Sequence, residues 1–250
     1  MKCIFISVRT GSSRLPQKAI LNICGKPTIQ YLIENVKKSK LADKIVLCTT
    51  LEKNDDILCD IATNNNIEYF RGSTEDKLLR WRGACQKYDV DFFVNIDGDD
   101  IFFDFGLADL VFQQHLKSGV DFIDGQGLYN DVYGISVNGI ETVCKNKKNT
   151  DTEFIKLYFE NIKHLIRSEK LINVPTKYHK KQVRMTLDYE EDLKFFETII
   201  SHLADKELTF ENINSYIQNN SEVTKINWFR EQNWIDNQNK MIDKINKGNV

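Results

Sequence analysis

Three segments of this 250-residue chain carry side chains whose types and spacing can do chemistry. The first is Arg9-Thr10-Gly11-Ser12-Ser13-Arg14-Leu15-Pro16-Gln17-Lys18. Small residues at Gly11, Ser12 and Ser13 let the backbone approach an anion, and successive N–H groups can form a nest around phosphate oxygens. Arg9, Arg14 and Lys18 add three positive charges, a match for a triphosphate. The GxxxxGKS/T pattern is absent, so this is not a Walker A loop. The second segment places Asp97, Asp99, Asp100 and Asp104 within eight residues. Carboxylates at that density repel one another without a cation, and a hard oxygen site of this kind suits Mg²⁺. The bland alternatives are a solvated basic turn for the first segment and a polar turn capped by Asp104 for the second. The third segment, residues 184–193 (RMTLDYEEDL), sets Asp188 at a strand end, with Glu191 and Asp192 placed to favour a helix N-terminus through its dipole.

The elements that must position these segments alternate between strand and helix. Residues 3–8 (CIFISV), 44–50 (KIVLCTT) and 91–96 (DFFVNI) are apolar, β-branched or aromatic runs that read as buried strands, and 67–70 as a shorter one. Between them, 27–36 carries apolar residues at helical spacing with Pro27 in its first turn, and 54–64 and 74–88 are also helical. Strands apolar on both faces, linked through helices, predict an α/β fold of three layers around a mostly parallel central sheet. Ligands bind such sheets at the carboxyl ends of strands, so the loops 9–18 and 97–104 are expected side by side, cationic against acidic. That pairing suits a metal-bound polyphosphate. The second half is less regular. It is expected to hold strands at 121–123, 132–137 and 183–187 and helices at 152–165 and 189–203. Residues 1–221 are read as one domain and 222–250 as a helical arm carrying Trp228, Phe229 and Trp234, packed on the body or on a second subunit.

Composition narrows the class. Lys and Arg number 34 against 36 Asp and Glu, a net charge of −2, which gives no broad drive toward nucleic acid or an anionic membrane. None of the six cysteines forms a CxxC pair, and Cys3 and Cys48 lie in apolar runs as packed thiols, which suits a reducing cytoplasm. The N-terminal apolar stretch is too short for a signal peptide, and no run is long enough to span a membrane, so a cytoplasmic protein is expected.

The run RTGSSRLPQK at 9–18, followed by GKPTI at 25–29, resembles the nucleotide-binding segment of the CTP-dependent cytidylyltransferases. The 3-deoxy-manno-octulosonate cytidylyltransferase and spore-coat-polysaccharide cytidylyltransferase-like groups are the most similar. The resemblance runs in order through about residues 1–200 and implies a Rossmann-like nucleotidyltransferase fold of the nucleotide-diphospho-sugar transferase type. It implies that Arg14 and Lys18 bind the CTP phosphates, with Arg9, Gly11, Ser12 and Ser13 in the same loop reaching the nucleotide. The family's G-D-x-P stretch matches Gly98 and Asp99, with Ile101 in place of the proline and Asp97 in place of a neutral residue. Asp99 is thereby the first Mg²⁺ ligand and Asp188, in the late R-x-T-L-D element, the second. Asp97 is left between a metal and a nucleotide contact. Ser73 falls where the nucleotide is touched, with an N-cap an equal alternative. Gly134 and Glu153 fall on the substrate side, Glu153 equally readable as a first-turn helix carboxylate.

The implied reaction is transfer of CMP from CTP to a small acceptor, a sugar acid by one related group, with release of pyrophosphate, for surface polysaccharide or glycoconjugate synthesis. Arg14, Lys18 and Asp99 are the catalytic candidates, and no histidine sits in the three segments to act as a base. A phosphorylated or phosphonate acceptor is one alternative. Another is a glycosyltransferase using Asp97-Gly98-Asp99 as a D-x-D metal site, which the loop at 9–18 argues against because such an enzyme has no triphosphate to cradle. A binding protein without activity is the third. Relatives of this group are often dimers, so a homodimer is expected.

Overall fold

The computed structural model describes residues 1–150, 152, 154–179 and 182–248. Its centre is β1 (Lys2–Ser7), whose residues Cys3 to Ile6 are fully buried. Cys3 and Phe5 point into one apolar cluster and Ile4 and Ile6 into another, so both faces of the strand are covered. That is why the run shows no polar alternation. On one side β1 pairs in parallel with β4 (Lys44–Thr50), which pairs in parallel with β5 (Glu68–Gly72). On the other side it pairs in parallel with β6 (Phe92–Asp97). The sheet continues through β8 (Val132–Ser136), β7 (Phe122–Gly125) and β9 (Ser168–Lys170), giving the seven-stranded order β5-β4-β1-β6-β8-β7-β9. β8 runs antiparallel to both neighbours. A short hairpin of β2 (Asn22–Ile23) and β3 (Lys26–Pro27) stands apart.

Helices cover both faces. The larger cluster packs α1 (Thr28–Val36), α2 (Asp56–Asn64), α4 (Phe105–Ser118), α7 (Glu190–His202) and α8 (Phe210–Asn219). The smaller packs α3 (Lys77–Tyr88), α5 (Val137–Asn146) and α6 (Ile155–Asn161). The last described element is α9 (Arg230–Gly248). Among the described residues no helix is long and apolar enough to cross a membrane.

The strand order turns at β1, with β4 on one side and β6 on the other. Ser7 is in register with both Cys48 and Asp97. The loops that leave β1 and β6 therefore start next to each other, at the kind of switch point where α/β sheets bind ligands. Gly98 lets them touch: its N–H donates to Ser7 O at 2.8 Å, and a Cβ there would fall 2.6 Å from Val8 Cβ.

Three sequence expectations need correction. Residues 183–187 form no strand. Val183, Met185 and Leu187 are buried, so the alternation is real, but among the described residues no strand pairs with the segment. The segment instead meets the loop after β6, where Leu187 N–H donates to Asp99 O at 3.0 Å. Gly134 is a packing glycine within β8. A Cβ at that position would lie 2.4 Å from Val111 Cγ1 and 2.6 Å from Phe92 Cζ, so its bareness serves the seating of α4. The helix expected over 152–165 is shorter, as α6, and Glu153 lies outside the described residues.

Candidate active site

The loop at 9–18 is tied down at its neck. Thr10 donates from both N–H and Oγ1 to Asp55 Oδ1, at 2.8 and 2.6 Å. The other carboxylate oxygen accepts from Thr49 Oγ1 at 2.9 Å and from Thr50 Oγ1 at the end of β4. Burial alone would raise the Asp55 carboxyl, but these hydrogen bonds to its charged form hold it below the usual range. Gln17, in the left-handed region at φ 57°, closes the loop with an N–H bond to Thr10 O at 3.2 Å. Leu15 is buried, so the chain returns to the core and sends Arg14 and Lys18 back toward the carboxylates.

There the charges interlock. Lys18 Nζ donates to Asp99 Oδ2 at 2.5 Å and to Asp188 Oδ1 at 2.8 Å. Arg14 Nη2 reaches the same Asp188 Oδ1 at 2.6 Å, and Arg184 Nη2 reaches Oδ2 at 3.1 Å. Asp188, 1 % exposed, is thus surrounded by three cations. Its burial opposes ionisation, but Lys18 and Arg14 outweigh that and hold the carboxyl at about 2. Asp99 differs. Burial pushes its carboxyl above the ordinary range; Lys18 pulls against this, and Asp188 and Asp97 add to the push. Asp100 is raised further, by burial and then by Asp99 and Asp97, and accepts from Asn130 Nδ2 at 2.8 Å. Asp97 is ion-paired with Lys77, at the first turn of α3.

These groups face a cleft of about 870 Å³. Arg9, Gly11, Ser12, Ser13, Arg14, Lys18, Asp97, Asp99 and Asp188 all line it, so the structure brings together the residues singled out in the three segments. It does not bring Ser73 or Gly134 there. Ser73 Oγ accepts from Asp76 N–H at 3.1 Å, and Asp76 rather than Ser73 caps α3. Asp104 likewise serves as the cap of α4 and accepts from Tyr178 Oη at 2.9 Å.

The family model described as cytidylyltransferase matches residues 3–240. The chain belongs to the cytidylyltransferase family. It is a nucleotidyltransferase. An uncharacterized protein of Methanocaldococcus jannaschii is 29 % identical over 234 residues, covering 91 % of this chain and 95 % of the relative. The spore coat polysaccharide biosynthesis protein SpsF of Bacillus subtilis is 25 % identical over 211 residues, covering 80 % of this chain and 87 % of the relative. A solved cytidylyltransferase from Leptospira borgpetersenii superposes with a TM-score of 0.80 at 25 % identity, covering 89 % of this chain and 96 % of that one.

The donor set of this cytidylyltransferase suits a small hard cation shared with a substrate. No group of three or more His, Cys, Asp or Glu side chains is arranged to hold a metal among the described residues. Asp99 and Asp188 do converge on one point, since a single ammonium touches both. Mg²⁺ is commonly held by one or two carboxylates together with substrate phosphates and water, not by an all-protein cage. Two converging aspartates facing an open cleft fit that pattern.

Three supporting residues escaped the sequence reading. Asp55 anchors the phosphate-loop candidate from the 3-10 turn before α2. Lys77 balances Asp97. Arg184, 1 % exposed, stands behind Asp188. Arg184 had a local signal, an arginine buried within an alternating apolar run. Asp55 and Lys77 had none, because acids and lysines at helix starts are ordinary. Asp192, read as a first-turn acid, caps as expected by accepting from Asp188 N–H at 2.9 Å and Tyr189 N–H at 3.0 Å. It also grips Arg184 Nε at 2.9 Å.

Proposed function

We propose that the cleft binds CTP with its triphosphate against the loop at 9–18 and transfers CMP to a sugar acid or a closely related small acceptor, in surface polysaccharide or glycoconjugate synthesis. The observation that carries this reading is the single ammonium of Lys18 joining Asp99 and Asp188, with Arg14 on the same carboxylate oxygen. A triphosphate needs cations, a cation bound to it needs carboxylates, and here both sets meet at the loop mouth. The sugar-polymer context follows the spore coat polysaccharide relative.

In the reaction an acceptor oxygen attacks the α-phosphorus in line. A new P–O bond forms, the α–β bridging bond breaks, and its electron pair leaves with pyrophosphate. Arg14 and Lys18 stabilise negative charge that grows on the bridging and leaving oxygens. Arg14 offers a planar fork to two oxygens, Lys18 a point charge. Asp99 and Asp188 are the residues that would hold Mg²⁺, which supplies charge neutralisation at the phosphates when bound. Thr10 and Asp55 keep the loop in place while this happens. A phosphate or phosphonate acceptor is already ionised and needs no base; a sugar hydroxyl loses its proton as the new bond forms, and that proton passes to solvent water, since no histidine lines the cleft among the described residues.

The test is pyrophosphate release from CTP with Mg²⁺, run against a panel of sugar acids, sugar phosphates, phosphonates and neutral sugars. Release dependent on a sugar acid is the expected result. Release that requires a phosphorylated compound or a phosphonate, with every sugar acid inert, would overturn the acceptor assignment and leave the nucleotide assignment standing.

A further inference from the structure

The arm that follows residue 221 lines part of the cleft and meets the Arg184 guanidinium behind Asp188. Arg184 is almost fully enclosed and touches three carboxylates. Nη2 donates to Asp188 Oδ2 at 3.1 Å and to Asp192 Oδ2 at 3.2 Å, and Nε to Asp192 Oδ1 at 2.9 Å. Nη1 donates to Glu231 Oε2 at 3.3 Å, from the first turn of α9. The arm is fastened around that contact. Asn227, fully buried, donates from Nδ2 to Arg184 O at 3.1 Å and to Asp192 Oδ1 at 2.9 Å. Arg230 forks onto Glu191 at 2.7 and 2.9 Å and stands over the Tyr189 ring at 5.0 Å.

Charge balance gives the contact a direction. Asp188 accepts from Arg14, Lys18 and Arg184, a heavy cationic load for a group that must also serve a divalent cation. Each anion that Arg184 faces elsewhere lightens its hold on Asp188. Asp192 does this from the same segment and Glu231 does it from the arm. We propose that Glu231 is a positioning residue: by drawing Arg184 away from Asp188, it keeps the Asp188 carboxylate available to a metal–triphosphate. The C-terminal arm is then part of the site and not only a brace. This inference rests on the reading of Asp188 as a cation ligand.

Glu231→Gln separates the two roles, because it keeps the shape and an oxygen acceptor for Arg184 Nη1 while removing the charge. Mn²⁺ binding in the presence of CTP is measured by electron paramagnetic resonance, and metal-free CTP binding by calorimetry in chelator. The expected result is a Mn²⁺ affinity lower by about fivefold or more, of the order of a coupling between contacting charges. Metal-free CTP affinity is expected to be unchanged or tighter, since the cleft has become more positive. Glu231→Asp, which keeps the charge, is expected to stay within about twofold of the wild type for Mn²⁺, well inside that coupling. Affinities for Mn²⁺ and metal-free CTP that fall together, with a lower melting temperature, would mark Glu231 as a brace and overturn the proposal. Unchanged Mn²⁺ affinity would overturn it too. Asp188→Asn run alongside tells the failures apart: if it also leaves Mn²⁺ affinity unchanged, the cation-ligand reading falls as well; if it lowers that affinity while Glu231→Gln does not, only the positioning role is lost.

Discussion

Asp188→Asn and Asp99→Asn are both expected to cut turnover by about a thousandfold, roughly 4 kcal/mol of transition-state stabilisation, while moving stability in different directions. Asp188 is the counter-charge of three cations in a nearly dry setting. Its amide leaves Arg14, Lys18 and Arg184 poorly compensated, and breaking a buried pair in this way costs about 3 kcal/mol or more. Asp99 is a carboxylate whose charged form the fold disfavours. Replacing it with a neutral amide removes that burden, so its melting temperature is expected to hold or rise.

The pH dependence follows with opposite signs. The Asp188 carboxyl is held at about 2, below its ordinary value of 3.8, so its stabilising contribution is complete above about pH 4 and is lost as pH falls toward 2. The Asp99 carboxyl is raised, so its contribution becomes less favourable as pH rises through the native value. Acid melts of the wild type and the two variants check this: Asp188→Asn should flatten the loss of stability below pH 4, and Asp99→Asn should leave it in place. Near-normal turnover in either variant at saturating Mg²⁺ would mean that the site lies elsewhere.

Lys18→Met is the second large effect. Lys18 Nζ is the group that touches both Asp99 and Asp188, and the two acids outweigh burial to keep it firmly charged. Methionine fills a similar volume and removes the charge. The acids then face each other with Arg14 and Arg184 beside only one of them, and the triphosphate loses a cation at the same time. A fall in kcat/KM of about a thousandfold is expected, similar to loss of a positioned charge in an electrostatic site. CTP affinity should fall by a smaller factor, because Arg9 and Arg14 remain in the cleft. Steady-state pyrophosphate release and calorimetry give the two numbers. A variant with wild-type kcat and weakened CTP binding would make Lys18 an anchor and nothing more.

The parts of this site that were legible in the sequence are those whose signal is local. The loop after β1 announces itself by small and cationic residues packed into ten positions. The acidic run after β6 does so by crowding. Both follow strands apolar on two faces, which fixes them at one end of a parallel sheet. What was not legible depends on partners far along the chain. Asp55 meets Thr10 across 45 residues, and Glu231 meets Arg184 across 47. No spacing rule links such pairs. The strand expected at 183–187 failed because alternation reports which side chains are buried, not whether a second strand lies beside them. β9 was missed for the opposite reason: its residues are all exposed, so it has no apolar pattern to read. Gly134 carried a family expectation of substrate contact, yet the space it leaves is filled by Val111 and Phe92.

The loop of Gly11, Ser12, Ser13, Arg14 and Lys18, with Asp99 and Asp188, is the proposed CTP site. Calorimetric titration of the wild-type chain with CTP, UTP, ATP and GTP, each with Mg²⁺, tests it most directly. CTP is expected to bind at least about tenfold more tightly than any of the others, a difference of about 1.4 kcal/mol. Equal or tighter binding of ATP or GTP would contradict it.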